Sequence, residues 1–354
     1  MGQTPDSDTL ARCAGEDAEV YDILMPVDGH QTVGLVVDNL YLVWLEWPEK
    51  CFRADAEVLR ALQTCVAGKG RIVRVRSEAS FLRHLPQATH ALVWNFKSEW
   101  FAKASRLRVL ATPAAGQEFV PTEGPKGVMI HFGRFHGEIM AETVAAFMLA
   151  WQRGFFRLRE KVVANEPWPR TWLSDKCALV AGTNAVIFGY GNVGRAIGDM
   201  IGRLSVNVTG VTRHGVYAAR PGSRRAHRID ASDLDAALGH ADWVILALPS
   251  TTGTDDFCNA QLIRKLPRTC VVINVGRGNA VDEKALCAAL KAKRLAGAYL
   301  DVRKHEPSAT VLESPGFVPE LAKLPTCVTT PHSAAFAAGY LTAFVLELNH
   351  DGCL

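Results

Sequence analysis

The sequence lacks a run of apolar residues long enough to cross a bilayer. Its longest apolar stretches, near Leu35 to Trp47 and Ala141 to Trp151, are short or broken by charge and fall below the roughly 20 residues that a spanning helix needs. Residues 1–15 are polar and lack the apolar core of a secretion signal, so they read as a disordered leader and the chain reads as cytoplasmic, with no membrane partner. Charge of one sign is also missing: the formal net charge of +3 is spread along the chain, which implies no nucleic-acid partner. No two cysteines stand as Cys-x-x-Cys and the nine are an odd number, so reduced thiols are expected rather than a disulfide framework, and no metal is expected. There is no short-period repeat and no low-complexity tract.

What is present is an ordinary globular composition, 48% hydrophobic and 21% charged, far from that of a disordered chain. A length of 354 residues exceeds what one core usually organises, so two domains are expected. In the first, short apolar runs at Asp22-Ile-Leu-Met-Pro, Gly34-Leu-Val-Val, Arg71-Ile-Val-Arg-Val, Ala91-Leu-Val-Trp and Leu107-Arg-Val-Leu-Ala read as strands, with a helix over Ala54 to Ala67. Strands alternating with helices imply βαβ units and a parallel sheet. From Glu138 to about Arg159 apolar residues recur at helical spacing. The two prolines of Asn165-Glu-Pro-Trp-Pro cannot continue that helix and mark a connector. A second α/β unit opens at Ala185, with strands at Ala185-Val-Ile-Phe, Val206 to Val211, Trp243 to Leu248, Cys270 to Val275 and Ala296 to Asp301, and helices at Val193 to Leu204 and Glu283 to Lys293. The fold class is therefore α/β with two doubly wound parallel-sheet domains.

The strongest single motif is Val186-Ile-Phe-Gly-Tyr-Gly-Asn-Val-Gly, which sets Gly189, Gly191 and Gly194 between a strand and a helix. Gly189 permits the tight turn, Gly191 lets the backbone approach a pyrophosphate, and Gly194 allows close helix packing, with Asn192 and Val193 opening the helix whose N-terminus faces the anion. At the end of the next strand an NAD enzyme carries a carboxylate for the adenosine ribose. Here Thr212 and Arg213 stand in that place, and Arg220, Arg224, Arg225 and Arg228 follow. A hydroxyl and a planar cation suit a 2′-phosphate, so NADP(H) is expected over NAD(H).

Three further segments carry polar residues: Asn274-Val-Gly-Arg-Gly-Asn, Asp301-Val-Arg-Lys-His-Glu-Pro and Thr330-Pro-His-Ser. Together with the glycine loop they resemble the D-isomer-specific 2-hydroxyacid dehydrogenase family, which includes glyoxylate and hydroxypyruvate reductases. The resemblance spans Arg106 to Ala335 and is closest from Ala185 onward. It implies a Rossmann dinucleotide-binding domain over 151–335 and a flavodoxin-like substrate domain over 16–150, completed by 336–354. It also implies that Arg277, Glu306 and His332 are catalytic and that Asp301, Leu248, Pro249 and Val275 lie at the nicotinamide cofactor. Substrate carboxylate would meet backbone amides at Asn95 and Phe96, where the side chains depart from the family's glycine- and serine-rich loop. The product would be the D isomer.

The chemistry agrees with that likeness. Reducing a ketone needs a hydride on carbon and a proton on oxygen, and histidine gives a proton near neutral pH. His332 is the expected acid, Glu306 its orienting partner, and Arg277 the cation for the substrate's carboxylate and oxo group. Formate dehydrogenase resembles this family but carries glutamine where Glu306 stands. The other alternative is a non-catalytic regulator that senses nicotinamide on the same fold. Phe147, Met148, Trp151, Phe155 and Phe156 put apolar surface on more than one face of the long helix, which predicts a homodimer.

Overall fold

Parallel strands that are covered on both faces are apolar at every position, and the chain supplies such runs twice. The structure is a computed structural model and describes residues 19–21, 39–163, 168–219, 227–229, 233–304, 306 and 319–354. Outside them lie the leader over 1–15, the strand readings at Asp22 and Gly34, the connector prolines' start at 165–167, and Arg220, Arg224 and Arg225. The chain divides into two compact units, Met1–Phe135 with Phe336–Leu354, and His136–Ala335.

In the first unit β1 (Glu19–Tyr21), β2 (Asn39–Trp44), β3 (Gly70–Arg74), β4 (His90–Val93), β5 (Val109–Thr112) and β6 (Met129–Phe132) form one sheet in the order β1-β3-β2-β4-β5-β6. From β3 to β6 all neighbours are parallel, and only β1 runs antiparallel, against β3. The parallel order is that of the flavodoxin-like doubly wound sheet. β4 and β5 are buried throughout, and Leu42, Val93, Leu110 and Phe81 meet in one core beside them. The helix Ala56–Cys65 starts where the Asp55 carboxylate accepts the Glu57 and Val58 amides at 3.0 Å. The helix Tyr340–His350 closes the unit with Tyr340, Leu341, Phe344, Val345 and Leu348 buried.

In the second unit β7 (Asn184–Phe188), β8 (Asn207–Thr212), β9 (Gly215–Ala219), β10 (His227–Ile229), β11 (Trp243–Leu246), β12 (Val271–Asn274), β13 (Gly297–Leu300) and β14 (Cys327–Thr329) are ordered β10-β9-β8-β7-β11-β12-β13-β14. The run from β8 to β14 is parallel, and β9 and β10 extend one edge as an antiparallel ribbon that the apolar pattern did not announce. Chain order reverses between β7 and β11, and at such a switch point the carboxyl ends of the strands leave a crevice for a ligand.

Two expectations are corrected here. The helix expected over 138–159 is two helices, His136–Gln152 and Phe155–Val163, separated at Gly154, whose φ of +69° is left-handed backbone that ends a helix. The boundary expected at 150 falls at 135, because the first of these helices buries Ala141, Val144, Met148 and Trp151 in one core with Ile187, Ile197, Ile201 and Tyr299 of the second unit. Phe147 stacks on Tyr299 at 4.8 Å between ring centroids. These apolar residues, expected at a dimer face, are spent inside the unit; Leu149 and Phe155 remain exposed.

Candidate active site

The loops that leave β7, β11, β12, β13 and β14 all start from the carboxyl edge of the second unit's parallel sheet, and they carry Gly189, Leu248, Arg277, Asp301 and His332. After β7 the chain turns at Gly189, φ +85°, where a Cβ would stand 2.4 Å from the Ala247 carbonyl oxygen. A Cβ on Gly194 would lie 2.3 Å from the Gly189 carbonyl oxygen, so the helix packs directly on the turn. At Gly191, by contrast, a Cβ would meet nothing within 4 Å. Gly191 is the exposed N-cap of the twelve-residue helix Asn192–Arg203, so no side chain stands over the helix's N-terminus. That is a cradle shaped for a pyrophosphate, and the residues present fit a dinucleotide. Asn192 is exposed and Val193 half-buried beside it.

At the tip of β8 Thr212 and the exposed Arg213 and His214 form the turn into β9, with no carboxylate among them. The Thr212 hydroxyl donates to the Gly215 carbonyl at 3.2 Å and accepts the His214 amide at 3.1 Å. Its proton is thus used within the turn, while Arg213 beside it is exposed. Leu248 is half-buried and Pro249 exposed at the end of β11. Val275 is 2% exposed and belongs to the core, so its side chain does not line the crevice.

Glu306 and His332 come together from different loops: His332 Nδ1 stands 2.9 Å from Glu306 Oε2, with the imidazole about half exposed. The hydrogen bond to Glu306 raises the His332 pKa above the ordinary histidine value, aided by the charges of Glu306 and Asp301 and opposed by burial and the Arg277 charge. Burial would push the Glu306 carboxyl up, but the hydrogen bond and charge of His332, the Arg303 amide and the Arg277 guanidinium together hold it below the usual carboxylate range. Arg277 follows β12, its Nη1 donating to the Gly276 carbonyl at 2.9 Å, and its field reaches both partners of the pair.

Asp301 does something the sequence did not reveal. It is 2% exposed; Oδ1 accepts the Thr330 hydroxyl at 2.5 Å and the Ser333 amide at 2.8 Å, and Oδ2 accepts the Ala334 amide at 3.0 Å. Its carbonyl also accepts the His332 amide at 2.8 Å. Asp301 therefore holds the loop in which His332 sits at φ +52°, a left-handed conformation unusual for a residue with a Cβ. Sequence reasoning also missed Arg303 and Glu283, a buried pair beside this loop: Nε and Nη2 of Arg303 each donate to Glu283 at 2.8 Å.

Asn95 and Phe96 lie in the first unit after β4. Phe96 is 3% exposed and packs on Phe101 and Trp100, so its ring belongs to the core rather than to a pocket wall. Asn95 Oδ1 is buried without a hydrogen-bond partner. Elsewhere in this unit His131, Glu347 and Asp351 bring possible ligand atoms within 4.8 Å of one another. Arg134 already occupies those carboxylates, its amide on Glu347 and its guanidinium on Asp351, so the group reads as an ion-pair network. Among the described residues no helix is long and apolar enough to cross a membrane.

A Rossmann-type sheet with its glycine loop at the switch point is the fold of nicotinamide-dependent oxidoreductases. A family model described as D-isomer specific 2-hydroxyacid dehydrogenase, NAD binding domain, matches residues 145–334. The chain is 32% identical over 241 residues to a glyoxylate/hydroxypyruvate reductase B of Pectobacterium carotovorum subsp. carotovorum, covering 66% of this chain and 71% of that one. It is 28% identical over 253 residues to a glyoxylate reductase of Thermococcus kodakarensis, covering 68% and 72%. Among solved structures it matches an NADPH-dependent glyoxylate/hydroxypyruvate reductase of Sinorhizobium meliloti in complex with NADP and sulfate, with a TM-score of 0.67, 25% identity, and 89% and 94% of the two chains covered. The chain belongs to the D-isomer specific 2-hydroxyacid dehydrogenase family, as its motifs led one to expect, and is an NAD(P)-dependent oxidoreductase.

Proposed function

We propose that the protein reduces a small 2-oxo acid of the glyoxylate or hydroxypyruvate kind to the D-2-hydroxy acid, with NADPH preferred to NADH. The observation that carries this reading is the 2.9 Å contact between His332 and Glu306 on the sheet edge that also holds the glycine loop. The nicotinamide, when bound, supplies the hydride. Glu306 takes Nδ1 of His332 and so leaves Nε2 as the nitrogen that gives its proton to the carbonyl oxygen. Arg277 binds the substrate carboxylate and draws electron density from the oxo group. The second unit is the nucleotide-binding domain and the first the substrate domain; of its loop at Asn95 and Phe96 only the Asn95 amide is proposed for the substrate carboxylate, because the Phe96 amide donates to the Phe119 carbonyl at 3.0 Å. Arg213 and the missing carboxylate at the tip of β8 support NADPH, as does the named cofactor preference of the Sinorhizobium meliloti reductase. The protein works in the cytoplasm and as a homodimer, for which the exposed Leu149 and Phe155 are the remaining support.

The test is turnover. Glyoxylate, hydroxypyruvate, pyruvate and a branched 2-oxo acid are assayed with each reduced cofactor, for wild type and His332→Ala. Loss of a positioned acid should lower kcat roughly 10²- to 10⁴-fold while NADPH still binds. A His332→Ala enzyme as fast as wild type removes the histidine from the mechanism. A wild type that binds NADPH and reduces none of the four acids points to the sensing regulator instead.

A further inference from the structure

Glu306 cannot orient His332 unless something orients Glu306, which lies in a loop with its side chain 38% exposed. Its second oxygen has a partner: Oε1 accepts the backbone amide of Arg303 at 3.1 Å. That amide is itself placed by charge. The Arg303 side chain is 6% exposed and that of Glu283 3%, and the two are joined by the planar two-bond fork at 2.8 Å. Glu283 Oε1 also accepts the Lys304 amide at 3.0 Å, so one carboxylate grips both the side chain of residue 303 and the peptide that follows it. Glu283 opens the helix Glu283–Lys291, which is anchored by the Asp282 cap on the Lys284 and Ala285 amides. The loop of Arg277 meets the same point: a Cβ on Gly278 would fall 1.9 Å from the Arg303 carbonyl oxygen, so the residue after Arg277 is pressed against the backbone of Arg303.

We infer that the buried Arg303–Glu283 pair is a positioning device that sets Glu306, and through it His332, in register with Arg277. This rests on the reading of Glu306 and His332 given above. A buried ion pair is poor at stabilising a fold, because apolar residues of similar volume do as well or better. What an apolar pair would not do is hold the Lys304 amide and aim the Arg303 amide at a carboxylate. Arg303 and Glu283 touch neither the reacting atoms nor the cofactor; they act through Glu306.

The test replaces both charges together, Arg303→Met with Glu283→Leu, so that no unpaired charge is left buried. Thermal melts and NADPH fluorescence titration check the fold and the cofactor site: the melt should fall modestly, because the Lys304 amide loses its acceptor, and NADPH affinity should stay close to wild type. The informative readout is the titration of His332 followed by ring-carbon NMR, assigned by its loss in His332→Ala. An opposite charge at hydrogen-bond distance moves a pKa by about 1 to 3 units. Loosening Glu306 should therefore lower the His332 midpoint by about one unit, with the alkaline limb of kcat for reduction moving the same way. In a Glu306→Gln background the double change should cause a much smaller shift, since the hydrogen bond from the Arg303 amide then no longer aims a charge at His332. Glu283→Gln keeps the shape and weakens the grip; it serves if the double variant does not fold, with a smaller shift in the same direction. A folded variant of either kind whose His332 titrates where the wild type does overturns the inference. The NMR readout needs no turnover, so it stands apart from the functional reading, whose own failure would show as full activity in His332→Ala.

Discussion

A left-handed backbone costs a residue with a Cβ roughly 1–2 kcal/mol, and His332 adopts one at φ +52°. The cost is met by the buried Asp301 carboxylate, which binds the residues on either side. Asp301→Ala would orphan buried amides and a hydroxyl and should destabilise the protein by about 2–4 kcal/mol, as read from denaturant melts, and lower kcat more than it weakens NADPH binding. The pH dependence follows from the raised His332 pKa. Under the proposed mechanism reduction needs the imidazolium, so it should be fastest below that pKa and fall as pH rises through it. Oxidation of the 2-hydroxy acid needs the neutral ring and should do the reverse. Glu306→Gln keeps a hydrogen-bonding oxygen and removes the charge, so both limbs should move to lower pH, measured as kcat over about pH 5 to 9. At this scale the sequence pointed to Arg277, Glu306 and His332 because each sits beside a local marker, and the structure brings Glu306 and His332 within 2.9 Å of each other. Arg303 and Glu283 are twenty positions apart and have none, and a glutamate at the start of a helix reads first as a complement to the helix dipole. Only folding brings the two together.

The helix Asn192–Arg203 separates two kinds of glycine, one needed by the fold and one by the ligand. Gly194→Ala would put a methyl 2.3 Å from the Gly189 carbonyl and should cost roughly 2 kcal/mol or more, visible as a lowered melting temperature. Gly191→Ala meets nothing within 4 Å, so the melt should stay near wild type while NADPH affinity falls about tenfold or more in a fluorescence titration, because the methyl occupies the anion's approach. Equal loss of stability in the two variants would refute that division. Parallel strands were legible because burial on both faces leaves an unbroken apolar run, as in Ala185 to Phe188 and Cys270 to Val275. The ribbon of β9 and β10 was not, since short edge strands follow no such pattern. Nor could periodicity show that Phe147, Met148 and Trp151 spend their apolar area on Ile197, Ile201 and Tyr299. A helix buried on most of its circumference and one that covers a dimer face carry the same signature.

At the scale of the whole molecule the dimer is the open prediction: light scattering at micromolar concentration should give twice the mass of one chain, and Leu149→Asp with Phe155→Asp should return a single-chain mass. The first unit is interrupted, because its body ends at Phe135 and its last segment begins at Phe336. Chains grow from the N-terminus at about 5–20 residues per second. The 200 residues between those points, 136 to 335, therefore separate the synthesis of the unit's sheet from that of its closing helix by about 10–40 s. Throughout that interval the nascent unit lacks Tyr340, Phe344 and Leu348, and aromatic partners of Tyr340 such as Phe52 and Trp94 are without it. The inserted unit is continuous and can fold first. The first unit's sheet is thus made before the inserted unit and closed after it, and in that interval a chaperone has its window to bind.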